Sequence, residues 1–238
     1  MKKETQQKIP TGIKNLDKIT NGGFIKNSVN MIVGGAGTGK SIFAIQFLIE
    51  GLRKKETCLY ISFEERKEEV YANMLKLGWN LEEYEKQNKF FFLEYTPEKV
   101  KTMLDEGGGE IETIVLTKSI ARISLDSITS FTSLFVEETE KRNAVLSLLE
   151  LLRKWTSTVV LTYERDPLAE KETPSILEFE VDSIIKLYSL RLKNKREKFL
   201  EVFKMRGTKH STETYQFSIE KNGINLKYES CKNLPAIK

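Results

Sequence analysis

The sequence has few of the residues that build disulfide frameworks and Cys/His metal sites. Its 238 residues include two cysteines, Cys58 and Cys231, and one histidine, His210. Two distant cysteines do not make a disulfide framework, and together with one histidine they are too few for a structural zinc site. We therefore expect a reducing, intracellular setting.

Long apolar runs are also missing. No stretch approaches the roughly 20 apolar residues that a membrane-spanning helix needs, and the N-terminal MKKETQQKIP lacks the apolar core of a secretory signal. The sequence thus predicts a soluble, cytoplasmic protein with no membrane partner. Its 38 basic and 34 acidic residues give a formal charge of +4, a mild excess that neither requires nor excludes nucleic acid.

What the sequence does contain is the pattern G-x-x-x-x-G-K-S, from Gly34 to Ser41. It lies between an apolar run at 29–33 and an apolar segment at 42–53, so its context predicts strand, glycine-rich loop and helix. Such a loop directs backbone N–H groups and the positive end of the helix dipole toward phosphate oxygens. Its lysine adds charge at the terminal phosphates, and its serine hydroxyl can ligate Mg²⁺. The predicted nucleotide-binding residues are Gly35, Ala36, Gly37, Thr38, Gly39, Lys40 and Ser41.

The rest of the chain alternates between strand-like and helix-like segments. Helices are predicted at 66–79, from Pro97 onward and at 138–155, and strands at 57–63, 89–94, 120–126 and 158–163. Gly107 to Gly109 is interpreted as a mobile loop. From about Asp182 strand follows strand, with turns near 194–195 and 222–223.

This pattern predicts one α/β domain over residues 1–238. Its central sheet should be mostly parallel, flanked by helices and extended by antiparallel strands at the C-terminal end. Residues 1–8 and about 229–238 are expected to be flexible tails.

The opening of the chain resembles that of KaiC-type ATPases of the RecA superfamily. The resemblance lies in I-P-T-G-I-x-x-L-D at 9–17, G-G-F at 22–24 and the phosphate loop, and it covers one unit of the family almost end to end. It implies a RecA-like fold that binds and hydrolyses Mg-ATP between identical subunits of a ring, expected to be a hexamer. KaiC itself carries two such units in tandem, so only the ATPase module is implied.

Acidic residues follow two of the predicted strands. Asp126 ends an apolar strand where P-loop enzymes place a metal-binding carboxylate, so Ser41 and Asp126 are the predicted metal ligands. The resemblance implies that one of Glu64 and Glu65 acts on the attacking water. We expect only one of them to face the site, because successive residues of an extended chain point to opposite faces. The alternative is that both simply favour the N-terminus of the next helix.

A basic segment, K-x-R-G-T-x-H, follows late in the chain. Lys204 and Arg206 share one face of a predicted strand. The resemblance implies that these two cations reach the γ-phosphate bound to the adjacent subunit, and that the segment frames its base and ribose. The contacts implied in trans are made by Lys204, Arg206, Gly207, Thr208, Lys209 and His210.

Two further segments resemble the family. T-x-E-R at 162–165 implies that Thr162 and Arg165 sense the γ-phosphate, with a strand-end salt bridge as the alternative. The positions of the phosphorylated residues in the family's autokinases correspond to about Glu178 and Phe179. Neither side chain can accept a phosphoryl group, which disfavours autokinase activity and leaves the nearby Thr173, Ser175 and Ser183 as the alternative acceptors.

The sequence thus predicts a KaiC-like ATPase with a regulatory or signalling role and a protein partner. Two alternatives remain, a DNA-handling ATPase related to RadA and a nucleotide-gated interaction module with little turnover. A GTPase is disfavoured because no N-K-x-D sequence occurs. Five basic residues in the predicted hairpin are interpreted as a solvated tip rather than a nucleic-acid groove, because few aromatic residues interleave with them. They are Arg191, Lys193, Lys195, Arg196 and Lys198.

Overall fold

The computed structural model describes residues 6–106, 109–168 and 176–231. The strands are β1 Lys8–Ile9, β2 Phe24–Ile25, β3 Val29–Gly34, β4 Thr57–Ser62, β5 Phe90–Glu94, β6 Ile120–Asp126, β7 Thr158–Glu164, β8 Ser183–Leu192, β9 Lys195–Met205, β10 Thr214–Glu220 and β11 Gly223–Ser230. The helices are α1 Lys14–Ile19, α2 Lys40–Arg53, α3 Lys67–Lys76, α4 Leu81–Lys86, α5 Pro97–Glu106, α6 Gly109–Thr117, α7 Ile128–Thr132, α8 Glu138–Lys154 and α9 Ile176–Glu180.

One sheet of nine strands organises the fold, in the order β11-β10-β9-β8-β3-β7-β6-β4-β5. Neighbouring strands pair in parallel in one part of the sheet, which consists of β8, β3, β7, β6, β4 and β5. Strands β9, β10 and β11 extend the sheet beyond β8 by antiparallel pairing. The short strands β1 and β2 form a separate antiparallel pair. The predicted architecture of a mostly parallel sheet with antiparallel C-terminal strands is confirmed.

Helices pack on both faces of the sheet, and each face has its own hydrophobic cluster. One cluster joins the sheet to α1, α2, α3 and α4 through residues such as Phe43, Phe47 and Met74. The other joins the sheet to α5 to α9 through residues such as Leu148 and Leu152. Because both faces are covered, the central strands β3, β4, β6 and β7 are buried along almost their whole length rather than alternating between buried and exposed residues. Among the described residues, no helix is both long and apolar enough to cross a membrane.

Helix α6 is absent from the sequence-based prediction, which placed a mobile loop at the triple glycine. Gly109 begins α6, and Gly107 and Gly108 lie outside the described residues. The physical reason for the helix is the burial of Ile111 and Val115, which are four residues apart and face the same cluster.

The tails predicted at 1–8 and about 229–238 fall largely outside the described residues. At their inner ends the chain is in strands, since Lys8 pairs with Ile25 and Ser230 lies opposite Tyr215.

The parallel strands end together at one edge of the sheet. Gly34 of β3 is aligned with Glu164 of β7, and Ser62 of β4 is aligned with Asp126 of β6. Ligands of open α/β sheets bind in the crevice outside these carboxyl ends. The fold therefore brings the phosphate loop and the predicted acidic residues to one place.

Candidate functional site

The phosphate loop connects β3 to α2 as predicted. Gly39 precedes the helix with a φ of 107°, in the left-handed region that favours glycine. A Cβ at Gly34 would lie 2.5 Å from Thr38 Oγ1 and 2.9 Å from the carbonyl oxygen of Leu187, whereas a Cβ at Gly35 or Gly37 would meet nothing within 4 Å. The loop thus packs tightly on its protein side and leaves an open concave side.

The side chain of Lys40 lies along this open side. Its ammonium donates to the carbonyl oxygen of Gly35 at 3.0 Å and lies 3.8 Å from Glu164 Oε2. Lys40 is only 8% exposed, which is uncommon for a lysine. Thr38 donates its hydroxyl to the same Gly35 carbonyl at 2.8 Å. The loop therefore holds the lysine charge at the place where terminal phosphates are expected.

Asp126 is a buried carboxylate held by two hydroxyl groups. The Tyr60 hydroxyl donates to Asp126 Oδ2 at 2.6 Å, and the Thr162 hydroxyl donates to Oδ1. Burial raises the pKa of Tyr60 well above its ordinary value, and the negative charge of Asp126 raises it further. Tyr60 therefore stays protonated and remains a donor to the carboxylate.

Both Glu64 and Glu65 line the same cavity, so the expectation that only one would face it is wrong. Strand β4 ends at Ser62, and the chain then bends, so strand alternation no longer applies. The Ser62 hydroxyl donates to the Glu65 carbonyl at 2.6 Å and accepts the Glu65 N–H at 3.0 Å, which fixes the bend. Glu64 Oε1 accepts from Ser127 at 3.2 Å and from Ser130.

These acids lie just before the next helix rather than in its first turn, and the alternative that they favour its N-terminus through the helix dipole stays open. Helix α3 begins at Lys67, and the acids of its first turn are Glu68 and Glu69. The pKa of Glu65 is raised, chiefly by loss of contact with water, and further by the negative charges of Asp126, Glu69 and Glu64. Carboxylates gathered in this way favour a cation nearby.

The cavity around these residues has a volume of about 540 Å³, within the range that small-molecule ligands occupy. Its polar part contains the phosphate loop, Asp126, Glu64, Glu65 and Glu164. Its other part is an apolar lobe between α2, α3 and β10. The apolar side chains that line this lobe are Ile42, Ile45, Val70, Met74, Leu77 and Ile219.

The donor set fits Mg-ATP. The open loop and Lys40 suit phosphate oxygens, while the Ser41 hydroxyl and the Asp126 carboxylate are the oxygen ligands that Mg²⁺ prefers. Across the described residues, no group of three or more His, Cys, Asp and Glu side chains could hold a metal ion alone.

Lys204 and Arg206 lie at the other end of the sheet from the phosphate loop. Ser183 of β8 is opposite both Asn30 of β3 and Met205 of β9, whereas Gly34 is opposite Leu187. The two cations are therefore level with the start of β3, about 13 Å along the strand from its end at roughly 3.3 Å per residue. Neither lines the cavity, so the chain cannot bring them to its own phosphate loop.

Comparison with known proteins decides the family. The family model described as "ATPase: KaiC" matches residues 9–230. The chain belongs to the KaiC family of ATPases. Membership in this family implies nucleotide binding.

Individual relatives agree with this assignment. The chain is 31% identical over 227 residues to the circadian clock protein KaiC3 of Synechocystis, covering 92% of this chain and 45% of that protein. It is 30% identical over 231 residues to the circadian clock oscillator protein KaiC of Thermostichus vulcanus, covering 92% and 44%. The chain thus spans less than half the length of these relatives.

A solved structure matches the whole architecture. The KaiC-like protein of the hyperthermophilic archaeon Pyrococcus horikoshii OT3 superposes with a TM-score of 0.83 at 29% sequence identity. The match covers 93% of this chain and 99% of that one.

The side chains of the T-x-E-R segment of this KaiC-family chain contact two different parts of the structure. Thr162 is buried against Asp126, as described above. The Arg165 guanidinium pairs with Glu178 at 3.0 Å, and the Arg165 N–H donates to the carbonyl oxygen of Gly34 at 3.2 Å. A strand-end salt bridge is therefore present at Arg165, and sensing of the γ-phosphate by Thr162 and Arg165 stays a prediction.

The segment from Gly207 to His210 packs against the N-terminal part of the chain. Thr208 Oγ1 accepts from Lys8 at 2.5 Å, and the Lys209 carbonyl accepts from Asn21 at 2.8 Å. The His210 ring lies 2.9 Å from the carbonyl oxygen of Ser211 through Nδ1. Contacts of this segment with a neighbour's nucleotide stay predictions.

Sequence analysis missed three residues of the site: Tyr60, Glu164 and Lys198. The Lys198 ammonium donates to the carbonyl oxygen of Gly37 in the phosphate loop, so its interpretation as part of a solvated tip is wrong. The inward position of Lys198 could have been predicted from the sequence. Lys198, Leu200 and Val202 are alternate residues of one strand and therefore share a face, and Leu200 and Val202 are buried. Nothing in the sequence near Tyr60 points to Asp126.

Proposed function

We propose that this KaiC-family chain hydrolyses ATP with Mg²⁺ at a site shared between identical subunits. The observation that carries the proposal is the convergence of Lys40, Ser41, Asp126 and two glutamates on one cavity at the mouth of the phosphate loop. A phosphate-binding loop alone would fit a nucleotide-binding protein, whereas the added carboxylates fit one that also manages a metal and a water.

Most residues of the polar part have a role in this proposal. The loop amides and Lys40 bind the phosphates, and Ser41 and Asp126 would hold the metal. Mg²⁺, when bound, would neutralise negative charge on the phosphate oxygens. Tyr60 and Thr162 keep the Asp126 carboxylate oriented through their hydroxyl groups.

Glu64 or Glu65 orients the attacking water. Both carboxyl groups line the cavity beside the loop, and a carboxylate is a suitable acceptor for a proton of that water. Glu64 is held by two serine hydroxyls, whereas the carboxyl pKa of Glu65 is raised toward the range useful for a base. Glu64→Gln and Glu65→Gln are compared by measuring ATP turnover and nucleotide binding. The base is the glutamate whose replacement abolishes turnover while nucleotide binding is kept.

The apolar lobe is the proposed place of the adenine base. A purine ring is a flat, largely apolar group, and the side chains of Ile42, Met74 and Ile219 can cover its faces. Asn73 also lines the lobe and carries both a donor and an acceptor, which suits the polar edge of adenine.

The site is completed by Lys204 and Arg206 of a second copy. Within one chain these cations and the phosphate loop lie at opposite ends of the sheet, so only head-to-tail association can bring them together. Heterologous contacts of this kind form rings when the rotation between subunits closes, and we propose a hexameric ring in the cytoplasm. Since the relatives include circadian clock proteins, we also propose a regulatory role with a protein partner.

Two variants test this function by phosphate release and nucleotide binding. Lys40→Ala should reduce turnover by about 100-fold or more, because it removes a charge aimed at the phosphates. Arg206→Ala should preserve nucleotide binding and reduce turnover by up to roughly 1,000-fold, as loss of an arginine finger does. Arg191→Ala, an exposed arginine in the β8–β9 hairpin, is the matched control and should behave like the parent protein.

Three results would contradict the proposal. Normal turnover of Arg206→Ala would remove the shared site. Negligible turnover of the parent protein with ATP-dependent assembly would indicate a nucleotide-gated module. Strong stimulation by single-stranded DNA that falls with salt would indicate a DNA-handling ATPase.

A further inference from the structure

The two cations at the end of β9 are held by backbone carbonyls of helix α9. The Lys204 ammonium donates to the carbonyl oxygens of Glu178 and Phe179, each at 2.9 Å. Arg206 donates to the carbonyl oxygens of Glu180, at 3.4 Å, and Phe179, and lies 3.9 Å from Asp182 Oδ1. We call this set of acceptors, the carbonyl oxygens of residues 178–180 and the Asp182 carboxylate, the donor platform because it holds the two donor side chains of Lys204 and Arg206.

This arrangement has a clear electrostatic reason. The last carbonyls of a helix have no partner within the helix and carry partial negative charge, so cations bind well there. Two neighbouring cations repel each other, and loss of contact with water together with the charge of Arg206 lowers the pKa of Lys204. The donor platform offsets this repulsion and keeps the two charges side by side.

The cations still have donors to offer a phosphate. An ammonium has three N–H donors and a guanidinium has five, and the described contacts use only some of them. The Arg206 side chain is 51% exposed. A phosphate on a neighbouring subunit could therefore be bound while the donor platform holds the side chains in place.

The donor platform is itself fixed to both ends of β3. Asp182 Oδ2 accepts the Val29 N–H at 2.8 Å at the start of the strand. The Glu178 carboxylate pairs with Arg165 at 3.0 Å, and both side chains are only 13% exposed. The Arg165 N–H donates to Gly34, the last residue of β3, from which the chain's own phosphate loop begins.

We propose that Glu178 is a positioning residue of the shared site: by pairing with Arg165 it fixes helix α9, whose carbonyls place Lys204 and Arg206 for the phosphate of the neighbouring subunit. This inference rests on the proposed function. A displacement of about 1 Å at a reacting group can cost on the order of 100-fold in rate, so a helix end that only holds other side chains can still control turnover.

Glu178→Gln keeps the size of the side chain and removes its charge. We expect kcat to fall on the order of 10- to 100-fold while the KM for ATP stays within about 2-fold, since the chain's own cavity is untouched. The matched control is Glu197→Gln, because Glu197 is also largely shielded at 18% exposure and pairs with Lys195, but at the opposite end of β9 from Lys204 and Arg206. This control should keep the parent kcat.

Mixed assemblies separate the two sides of the site. Lys40→Ala chains lack a working phosphate loop but can donate cations, and Arg206→Ala chains have the loop but cannot donate. Mixing these two should restore activity above that of either alone. The ATP turnover of Glu178→Gln chains should rise when they are mixed with Lys40→Ala chains, which supply correctly placed Lys204 and Arg206 side chains. It should not rise when they are mixed with Arg206→Ala chains.

The outcomes distinguish the inference from the function beneath it. If a mixture of Lys40→Ala and Arg206→Ala chains is no more active than either variant alone, the proposed shared site is wrong. If they do, but Glu178→Gln chains also restore Arg206→Ala chains, Glu178 has no donor role and the inference is overturned. If Glu178→Gln does not fold, Glu178→Asp, which keeps the charge on a shorter side chain, is tested in the same mixtures by the same criteria.

Discussion

At the scale of single residues, the site depends on how the Asp126 carboxylate is held. A carboxylate that binds a metal through water must keep a fixed orientation, and its hydrogen-bond partners provide it. Here the Tyr60 hydroxyl binds one oxygen and the Thr162 hydroxyl binds the other. Both partners come from neighbouring strands, so the orientation of Asp126 is a product of strand register.

Tyr60→Phe tests this role of the tyrosine. Loss of the hydroxyl should raise the Mg²⁺ concentration needed for half-maximal ATP turnover by roughly 10- to 100-fold, the usual effect of removing a partner of a metal-binding group. The measurement is a Mg²⁺ titration of ATP turnover. Tyr71→Phe is the control, because the Tyr71 hydroxyl binds Glu85 at 3.1 Å away from the cavity. An unchanged Mg²⁺ requirement in Tyr60→Phe would show that the tyrosine does not act on the metal site.

The raised pKa of Glu65 predicts a stability effect that depends on pH. Folding raises this carboxyl pKa above its ordinary value of 4.5, so the folded state binds the proton more tightly than the unfolded state. The charged form therefore lowers stability as the pH rises through and above that value. Glu65→Gln should increase the free energy of unfolding at pH 7.5, by less than about 1 kcal/mol because solvent screens the charge.

Thermal unfolding without nucleotide measures this gain. It should be present at pH 7.5 and should disappear at low pH, where Glu65 is protonated in both states. Glu83→Gln, at an exposed position of helix α4, should show no such difference. A gain that is equal at both pH values would mean that the charge of Glu65 is not its cause.

At the scale of elements, strand β9 serves both ends of the sheet. Near its start, Lys198 donates to the carbonyl oxygen of Gly37 in the chain's own phosphate loop. Near its end, Lys204 and Arg206 bind the donor platform. Six residues separate the two lysines, or about 20 Å of strand. One strand therefore connects the phosphate loop with the cations proposed for the neighbouring subunit.

Lys198→Ala tests the contact with the phosphate loop. We expect the KM for ATP to rise about 3- to 10-fold, the equivalent of one hydrogen bond of roughly 1 kcal/mol, because the loop loses a group that fixes Gly37. Steady-state kinetics provide the measurement. Lys195→Ala is the control, since Lys195 is 76% exposed in the same hairpin. Equal effects of the two variants would indicate a general charge effect rather than a contact with the loop.

At the scale of the whole molecule, the long sheet keeps the two halves of the proposed site apart. The phosphate loop lies beyond the end of β3, and the cations of β9 lie level with its start. A rigid sheet cannot fold back on itself, so one chain cannot supply both halves. Under the proposed function, catalysis then requires at least two chains, and a repeating head-to-tail contact that closes on itself gives the proposed ring.

Specific activity should therefore fall when the protein is diluted. As subunits dissociate, each loses the cations of its neighbour, and turnover per chain decreases. Light scattering with and without ATP, in parallel with phosphate release across a range of protein concentrations, measures both quantities. Constant activity per chain in samples that scatter as monomers would contradict the shared site.

Much of this fold could be predicted from local sequence patterns. The phosphate loop was predicted residue by residue, and strand β8 was predicted from the run of strand-forming residues that begins after Asp182. The helix α6 was missed because its glycine-rich start suggested a loop, while the burial of Ile111 and Val115 that stabilises it depends on packing. The Glu64–Glu65 pair was misinterpreted because a strand was assumed to continue where the Ser62 side chain bends the chain.

The sequence by itself determined the phosphate loop, the alternation of strands and helices, and the family. These are properties of residues close together in the chain, where glycine conformations and apolar spacing act locally. Only the tertiary structure decided that Tyr60 binds Asp126, that Lys198 reaches the phosphate loop, and that α9 carbonyls hold Lys204 and Arg206. Each of these contacts joins residues far apart in sequence, and strand order and register, which no short segment specifies, bring them together.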